Sequence, residues 1–469
     1  MKLEQYNYIY FLGIGGIGMS AIARWFHAKG YPVWGYDKTR TPLTEALEQE
    51  GIRVHYEDDV KLLPQEILEN KEQTLVVLTP AIPAEHSEWA YLKENGYAIK
   101  KRSEVLGIIT SDAHTIAVAG THGKTTTSSI VTHLLHHAGV DCSAFLGGIS
   151  TNLNSNLLIS KGDAKVETVV VEADEYDRSF LTLFPRVAIV TSADADHLDI
   201  YGDKDELTRT FQKFIGQVKP GGYLFIHQAN DAGLTELAHR EVRVVKYGLN
   251  EGEAHVQNLN INGRWFEFDV TSPFGNIAGL RLGLPGFHNV ENTLAAILTA
   301  QVTGLDGESI KAGVESFAGV KRRFEFVFEG NGKVYIDDYA HHPREIEAFM
   351  SSLRALYPNK RIKVLFQPHL YSRTRDFADE FAESLSAADE LVLLDIYPAR
   401  EKPIPGVSSE MILEKVSCEK KQILPKENII ENLLKNSDYD VLATVGAGDI
   451  DTLVKPIRNF LEKERHGLE

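Results

Sequence analysis

Short apolar runs alternate with longer amphipathic stretches along the whole chain, and this alternation limits the possible folds more than any other feature of the sequence. The pattern is typical of α/β proteins, in which parallel strands alternate with helices that cover the sheet. No internal repeat or low-complexity tract interrupts it. The apolar runs predict strands at residues 8–12, 74–78, 115–119, 168–171, 187–191, 363–366, 390–394 and 441–445.

Length and local changes of pattern predict how the chain is divided. A chain of 469 residues corresponds to about three domains. Residues 256–270 alternate apolar and polar side chains around Asn262-Gly263, which predicts an antiparallel hairpin inside the middle domain. A new strand-and-glycine unit follows Asp112, and a predicted helix gives way to strands near Arg322. We therefore predict domains at residues 1–112, 113–322 and 323–469.

Composition excludes several classes of protein. The chain has 49 Lys and Arg residues against 66 Asp and Glu residues, a net charge of −17, which disfavours nucleic acid and anionic membrane surfaces as partners. Cys142 and Cys418 are too few for a disulfide framework or a cysteine zinc site, as expected for a reducing cytoplasm. Residues 5–23 lack charge, but four glycines interrupt them, so we expect strand, turn and helix rather than a signal peptide or membrane span.

The first glycine cluster, Gly13-Ile14-Gly15-Gly16-Ile17-Gly18, fits the pattern G-x-G-x-x-G between a predicted strand and a predicted helix at residues 19–29. Such glycines let the backbone approach a pyrophosphate, whose charge then faces the helix N-terminus. NAD(P), FAD and a UDP-sugar all fit, and a structural turn without a ligand is the alternative. Asp37 follows the next short strand and is either a partner of a ribose or uracil or a solvated strand end.

The second cluster, Gly120-Thr121-His122-Gly123-Lys124-Thr125-Thr126, lies between a predicted strand and a predicted helix at residues 125–137. Nested N–H groups and the lysine indicate a nucleotide-phosphate loop, with the Thr125 hydroxyl placed to bind magnesium. Val118 stands where G-x-x-x-x-G-K-[ST] has its first glycine, so an ordinary P-loop NTPase is not implied.

Acidic residues follow two further predicted strands, in the segments 172–177 and 194–199. The carboxyl ends of these strands meet at the sheet edge that carries the phosphate loop. Carboxylate oxygens suit magnesium, so Glu172, together with His197, is a candidate metal ligand. For any one of these carboxylates, a solvated loop or a helix cap is the alternative.

These motifs resemble those of the Mur ligases, the ATP-dependent amide-forming enzymes that build the peptide of peptidoglycan, and the resemblance covers essentially the whole chain. Residues 120–127 resemble the family's G-T-[HN]-G-K-T-T-T loop, residues 172–180 its E-x-D-E-x-D-x-S-F segment and residues 196–199 its D-H-x-D. Further motifs lie at residues 284–292, 322–325, 337–343 and 367–374. The resemblance implies a Rossmann-like N-terminal domain, a central P-loop-type ATPase α/β domain and a Rossmann-like C-terminal domain.

Within the family, the chain most resembles the members that attach the first amino acid, through residues 11–20 and Gly446-Ala447-Gly448-Asp449-Ile450. Later-acting relatives have a carbamylated lysine fifteen residues after the Asp of D-H-x-D, where this chain has Phe211. The resemblance implies UDP-N-acetylmuramate and L-alanine as substrates, with ATP and Mg²⁺, and an acyl phosphate at the lactyl carboxylate. Ser192 and Ala195 depart from the usual Asn and Pro, which puts the local contact of the Asn in doubt.

The resemblance also implies residue roles. Lys124 holds the β- and γ-phosphates, Thr125 and Glu172 bind one magnesium, and His197 binds a second. Arg323 reaches the γ-phosphate when the C-terminal domain closes. The predicted catalytic residues are Lys124, Glu172, His197 and Arg323, and the predicted ATP-binding residues are Gly120, Thr121, His122, Gly123, Lys124, Thr125, Thr126, His288, Asn292, Arg323 and Asp338.

His288 and Asn292 are expected at the adenine, with capping or bracing of the helix at residues 290–303 as the alternative. For the amino-acid carboxylate, the cationic candidates are Arg373, His341, His342 and His369. Arg373 is the best of these because a guanidinium binds a carboxylate bidentately, although a solvent-facing arginine is the alternative. The predicted UDP-sugar-binding residues are Gly13, Gly15, Gly16, Ile17, Gly18, Met19, Ser20, Asp37, Thr79, Ala81 and Arg102.

Three other functions stay open at this point. A family member that recycles cell-wall peptides would attach a preformed tripeptide to UDP-N-acetylmuramate. An NAD(P)-dependent oxidoreductase would explain the first glycine cluster but not Lys124. A non-catalytic regulator would bind nucleotide without turnover. We expect a cytoplasmic monomer or homodimer that binds neither nucleic acid nor membranes.

Overall fold

Each predicted apolar run forms a strand, because strands buried on both faces of a sheet require apolar side chains on both sides. The computed structural model describes residues 3–162, 165–194, 201, 204–230, 232–399, 401–435 and 438–466. In this part of the chain the strands form three sheets. The chain divides into two compact units, the first comprising Met1–Asn258, Phe268–Leu280 and Glu291–Phe317, and the second comprising Leu259–Glu267, Arg281–Val290 and Ala318–Glu469.

The first sheet is parallel, with the strand order β3-β2-β1-β4-β5. Its strands are β1 (Tyr8–Leu12), β2 (Val33–Tyr36), β3 (Arg53–His55), β4 (Thr74–Leu78) and β5 (Ala98–Lys101). The helices that accompany it are α1 (Ile17–Ala28), α2 (Pro42–Gln49), α3 (Gln65–Glu69), α4 (Ser87–Glu94) and α5 (Arg102–Thr110). The order reverses direction at β1, so the glycine turn after β1 lies at a topological switch point, where such sheets bind ligands.

The second sheet has the order β15-β14-β13-β12-β11-β10-β6-β9-β7-β8. Its strands are β6 (His114–Ala119), β7 (Cys142–Ser150), β8 (Ser155–Leu158), β9 (Thr168–Glu172), β10 (Val187–Val190), β11 (Tyr223–His227), β12 (Arg243–Gly248), β13 (Ala254–Asn262), β14 (Trp265–Thr271) and β15 (Ile277–Leu282). Its helices are α6 (Lys124–His137), α7 (Lys204–Gly216), α8 (Phe287–Val302) and α9 (Gly307–Ser316). The predicted hairpin is confirmed as the adjacent strands β13 and β14.

The third sheet has the order β16-β17-β21-β18-β19-β20. Its strands are β16 (Glu325–Gly330), β17 (Lys333–Asp338), β18 (Ile362–Phe366), β19 (Glu390–Leu393), β20 (Lys420–Ile423) and β21 (Val441–Val445), of which β16 pairs antiparallel with β17. Its helices are α10 (Pro343–Leu356), α11 (Tyr371–Asp376), α12 (Ala378–Leu385), α13 (Glu410–Leu413), α14 (Ile429–Lys435) and α15 (Val454–His466). Short 3-10 helices lie at Leu3–Gln5, Val60–Leu62, Lys71–Gln73, Tyr176–Thr182, Ala232–Thr235, Lys426–Asn428 and Asp449–Leu453.

One hydrophobic core joins the first two sheets. It includes Phe11 and Phe26 from the first sheet and its helices, and Phe180, Phe211 and Phe214 from the second sheet and its surroundings, all fully buried. The first unit therefore holds both glycine turns in one packed body. The domain division at residues 1–112, 113–322 and 323–469 remains a prediction. None of the helices in the described ranges combines the length and the apolar character needed to cross a membrane.

Candidate active site

The phosphate loop connects β6 to α6 through two glycines with positive φ angles. Gly120 has a φ of +136° and Gly123, the residue that caps α6, has a φ of +79°. A Cβ atom on Gly120 would lie 2.0 Å from Thr191 Oγ1, and one on Gly123 would lie 2.6 Å from Asn292 Oδ1. Both positions therefore require glycine. No side chain caps α6, so the first-turn N–H groups point toward a ligand position, as in other anion-binding helix termini.

Neighbouring residues hold this loop in place. Ser192 Oγ accepts a hydrogen bond from the His122 backbone N–H at 2.9 Å and lies 2.9 Å from Thr121 Oγ1. The Asp194 N–H donates to Thr121 Oγ1 at 3.2 Å, and the Thr191 hydroxyl donates to the His122 carbonyl. Ser192 thus makes a local contact despite its departure from the family pattern.

Lys124 lies at the start of α6 among three acidic side chains. Its Nζ donates to the Gly120 carbonyl at 2.6 Å and to Glu175 Oε1 at 2.9 Å. Burial lowers the pKa of Lys124, but the charges of Glu175, Asp174 and Glu172 outweigh burial and raise this pKa to about 12. Lys124 is therefore a cation at neutral pH. Glu175 lies in the acidic segment 172–177 but is not among the site residues predicted from the sequence.

Glu172 and Asp174 line a cavity of about 160 Å³ in the first unit. Glu172 Oε2 accepts a hydrogen bond from the Gly147 N–H at 3.1 Å, and a Cβ atom on Gly147 would lie 2.2 Å from the same oxygen. Asp174 Oδ2 lies 3.3 Å from Arg102 Nη2. The Glu172 carboxylate is only half-buried, so it can offer oxygen to a hydrated magnesium ion, as can the Thr125 hydroxyl.

The predicted second metal ligand, His197, lies outside the described residues, as does Ala195. The described ranges contain no cluster of three His, Cys, Asp or Glu side chains that could hold a metal ion. Phe211, at the position where later-acting relatives have lysine, is fully buried and packs against Phe180 with ring centroids 5.2 Å apart.

The N-terminal glycine turn brings together side chains that are distant in sequence. The Gly15 N–H donates to Asp37 Oδ2 at 2.7 Å, and Asp37 Oδ1 accepts from the Thr39 N–H. A Cβ atom on Gly13, whose φ is +86°, would lie 2.4 Å from Thr79 Cγ2, and one on Gly18 would lie 2.5 Å from Arg102 Nη1. Asp37, Thr79 and Arg102 therefore surround the turn.

The remaining residues predicted to bind the UDP-sugar differ in exposure. Gly16 caps α1 and is exposed, Ile17 and Gly18 are half-exposed, and Ala81 is exposed. Met19 and Ser20 are buried within α1, and the Ser20 hydroxyl donates to the Ile17 carbonyl. Contact of Met19 and Ser20 with the ligand remains a prediction. Their burial within the packed helix argues against it.

Asn292 and His288 lie on α8. Asn292 Oδ1 accepts a hydrogen bond from the Thr127 hydroxyl at 3.1 Å and lies close to Gly123. Asn292 therefore links α8 to the phosphate-loop helix α6, a contact different from the predicted capping or bracing of residues 290–303. His288 lies near Gly286 in the second unit, where a Cβ atom on that glycine would meet its ring at 2.6 Å. Contact of either side chain with adenine remains a prediction.

In the second unit, Arg322 and Arg323 precede β16. Arg322 and Phe324 have positive φ angles of 61° and 48°. Arg322 pairs with Asp337 at 3.1 Å and donates to the Gly446 carbonyl at 2.6 Å, whereas the Arg323 guanidinium lies 5.0 Å from the centre of the Tyr339 ring. These contacts tie Arg322 to the sheet and leave the γ-phosphate role predicted for Arg323 untested.

Asp338 organises the turn after β17. Its carboxylate accepts hydrogen bonds of 2.7 Å from both the Phe324 and Ala340 N–H groups. Burial raises the pKa of Asp338 to about 6, against the opposing charge of Arg323. The role predicted for it at the ATP ribose or linker hydroxyls remains a prediction.

Some of the residues predicted to bind the amino-acid substrate lie close to one another. The His341 ring lies 5.8 Å from the His369 ring, and His369 stacks on Tyr397. Burial lowers the pKa of His341 to about 4, with Arg373 contributing in the same direction and Glu345 opposing. His342 caps α10 through its ring and contacts Phe377. Arg373 lies half-buried on α11. His341 is therefore neutral near pH 7, so Arg373 is the stronger candidate for a substrate carboxylate.

Comparisons with known proteins agree across the whole chain. Residues 8–114 match the Mur ligase family catalytic domain, residues 118–300 the Mur ligase middle domain, and residues 322–448 the Mur ligase glutamate ligase domain. The UDP-N-acetylmuramate–L-alanine ligase of Flavobacterium psychrophilum is 50% identical over 465 residues, which cover 99% of this chain and 100% of that protein. The ligase of the same name from Cytophaga hutchinsonii is 46% identical over 467 residues, which cover 100% of this chain and 99% of that protein.

A solved structure supports the same comparison. The crystal structure of the UDP-N-acetylmuramate-alanine ligase MurC from Thermotoga maritima is 27% identical in sequence, and it superposes with a TM-score of 0.82. The match covers 98% of this chain and 99% of that one.

Proposed function

The chain belongs to the Mur ligase family, and from this premise we propose that it ligates L-alanine to the lactyl carboxylate of UDP-N-acetylmuramate, with ATP converted to ADP through an acyl phosphate. It is an ATP-dependent carboxylate–amine ligase of peptidoglycan precursor synthesis. Relatives that share 46% and 50% identity over almost the full length have this activity in their names. The site observation that supports it best is a half-buried lysine at a helix N-terminus, paired with the buried Glu175 and influenced by the charges of Asp174 and Glu172.

The proposed roles follow from charge. Amide formation in water is uphill, so the carboxylate first needs a leaving group, and phosphoryl transfer from ATP can supply one. Lys124 and the first-turn N–H groups of α6 would neutralise and orient the phosphates. Thr125, Glu172 and His197 would hold magnesium, which would supply further neutralisation of phosphate oxygens. Arg323 would act on the γ-phosphate.

At the nucleotide end of UDP-N-acetylmuramate, Gly13, Gly15 and Gly18 would leave room for the diphosphate. The side chains around it would be those of Asp37, Thr79 and Arg102. Arg373 would pair with the carboxylate of L-alanine. Because both substrates are soluble metabolites of nucleotide-dependent synthesis, the proposal also includes a cytoplasmic location.

The comparisons do not favour the other functions. An oxidoreductase would need only the first glycine turn and leaves the Lys124 site without a function. A ligase that takes a preformed tripeptide has the same UDP-sugar, but the nearly full-length relatives named above attach L-alanine.

The test is ADP release with Mg-ATP and UDP-N-acetylmuramate, with L-alanine in one reaction and the L-Ala-γ-D-Glu-diaminopimelate tripeptide in another. We expect turnover with L-alanine only. Turnover with the tripeptide alone would identify the recycling ligase instead. Binding of NADH without turnover of either amine would contradict the assignment of the first glycine turn.

A further inference from the structure

Asn156 ties the helix that begins at the N-terminal glycine turn to the sheet that carries the phosphate loop. It lies on β8 and is fully buried. Its Nδ2 donates to the Ile17 carbonyl at 2.6 Å and to Ser20 Oγ at 3.2 Å, and its Oδ1 accepts from Arg24 Nη1 at 2.9 Å. Both N–H groups and the carbonyl of the amide therefore bond to α1.

These partners allow one orientation of the amide. Rotating it by half a turn would place Oδ1 against the Ile17 carbonyl and Nδ2 against the Arg24 guanidinium, so both contacts would become repulsive. Glu50 holds Arg24 through bonds of 2.6 and 2.8 Å. A hydrophobic side chain could fill the same buried space, but it could not define the position of α1 in this way.

The tie lies beside the cavity that contains Glu172 and Asp174. Ile17, Gly18, Ala21 and Ile22 of α1 form one wall of that cavity, whereas residues from the second sheet and the loop after β9 form another. Across the same cavity, Arg102 of α5 pairs with Asp174 at 3.3 Å and lies against Gly18. Two polar ties thus connect the glycine-turn helices with the phosphate-loop sheet.

We propose that these two ties, Asn156 with α1 and Arg102 with Asp174, form an alignment clamp that fixes the spacing between the diphosphate turn and the phosphate loop. In this clamp Asn156 is a positioning residue. The inference rests on the proposed function, because it requires the UDP diphosphate at the N-terminal turn and the ATP phosphates at the phosphate loop. A displacement of about 1 Å between reacting groups can lower the rate about 100-fold. The clamp therefore controls kcat, whereas the affinity of each turn for its own ligand does not depend on it.

The test is the isosteric variant Asn156→Asp, which replaces the donor facing the Ile17 carbonyl with an oxygen. Gln217→Glu is the matched control. Gln217 Nε2 also donates to two carbonyls, those of Leu181 and Leu183, but it is not among the residues that line the cavity. Calorimetric titration with UDP and with Mg-ADP gives the number of binding-competent sites, and kcat is then expressed per competent site.

For Asn156→Asp we expect UDP and Mg-ADP affinities within about twofold of wild type and a kcat per site about 10- to 100-fold lower. Gln217→Glu should keep its kcat per site within about twofold. A purely structural role for Asn156 would lower the number of competent sites and leave the kcat of each unchanged, and that result would overturn the clamp.

Two further measurements keep the inference testable. If Asn156→Asp does not fold, Ser20→Ala removes one of the three bonds. The clamp predicts a lower kcat per competent site for this variant, and an unchanged kcat per site would overturn it. Amide hydrogen exchange needs no turnover, so it separates the clamp from the proposed function: Asn156→Asp should speed exchange at residues 17–24 by about tenfold and leave residues 124–137 unchanged. Equal rates at residues 17–24 would also overturn it.

Discussion

The two glycine turns of the first unit share a strand–turn–helix plan but treat charge differently. At the N-terminal turn, the charged groups lie around the glycines: the Gly15 amide is bonded to Asp37, and Arg102, paired with Asp174, lies against Gly18. At the phosphate loop, Lys124 is half-buried, and its charge is balanced by the buried Glu175 and neighbouring carboxylates. A cation that is partly removed from water at such a site therefore needs counter-charges that stabilise it before the nucleotide binds.

Buried acids of the same unit show the same contrast. Glu175 has Lys124 as its ion partner. Glu88, on α4, is fully buried; its carboxylate contacts the Tyr10 hydroxyl at 2.5 Å, the His55 ring at 3.5 Å and the Asp59 backbone N–H. Burial raises the pKa of both carboxyl groups, and at Glu175 the charge of Lys124 opposes that rise.

Removal of the Lys124 side chain should cause the largest loss of activity of the changes predicted here. For Lys124→Ala we expect kcat/KM for ATP to fall by about 1000-fold or more, because the phosphates lose this cation. The variant should also lose about 3–5 kcal/mol of unfolding free energy, because Glu175 loses its ion partner. ADP release and denaturant unfolding measure the two effects. The double variant Lys124→Met with Glu175→Gln should regain stability but not activity, and recovery of activity would contradict the assigned role.

The N-terminal turn should be broken by volume rather than by charge. A Cβ atom on Gly15 would lie 2.6 Å from Thr44 Cγ2 and 2.8 Å from Asp37 Oδ2. Gly15→Ala should therefore raise KM for the UDP-sugar about 10- to 100-fold and leave KM for ATP unchanged. Gly307→Ala is the control, because a Cβ atom there meets only Ile277 at 3.8 Å. Equal changes in both KM values would show that the two turns are not independent.

Asp37 organises the first turn by accepting hydrogen bonds from two backbone N–H groups. Asp37→Ala removes the acceptor for the Gly15 and Thr39 N–H groups. We expect KM for the UDP-sugar to rise about fivefold to tenfold, which corresponds to about 1 kcal/mol, with kcat unchanged. Asp37→Asn keeps one acceptor oxygen and should show a smaller rise. A fall in kcat without a change in KM would instead place Asp37 near the reacting groups.

Local sequence patterns predicted most of the first unit, because strand burial and glycine turns depend on neighbouring residues. The strand at residues 8–12 and the helix after Gly123 form where the patterns indicate, and so does the hairpin around Asn262, whose tip belongs to the second unit. Contacts between distant segments were not predictable. Asn156 and Ile17 are far apart in sequence, and no hydrophobic periodicity indicates that they meet. The same holds for the contact of Ser192 with the phosphate loop. Glu175 stood in a recognised motif, but only its distance from Lys124 distinguishes it from its acidic neighbours.

A further prediction concerns stability rather than binding, through the pH dependence of unfolding at Glu88 on α4. Burial raises the pKa of Glu88 from 4.5 to about 7; the Tyr10 hydrogen bond opposes this shift and Asp58 adds to it. Because the folded state holds this proton more tightly than the unfolded state, the stabilisation is fully present below pH 4.5 and is lost as pH rises through about 7. The total change is at most about 3 kcal/mol.

Glu88→Gln keeps an acceptor for Tyr10 and removes the titration, so its unfolding free energy should fall less than that of wild type between pH 5 and about 8. Lys124, whose pKa is about 12, should contribute no such slope in this range. Parallel curves for wild type and Glu88→Gln in denaturant titrations would mean that Glu88 is ionised in the folded protein, and the contrast between the two buried acids would then disappear.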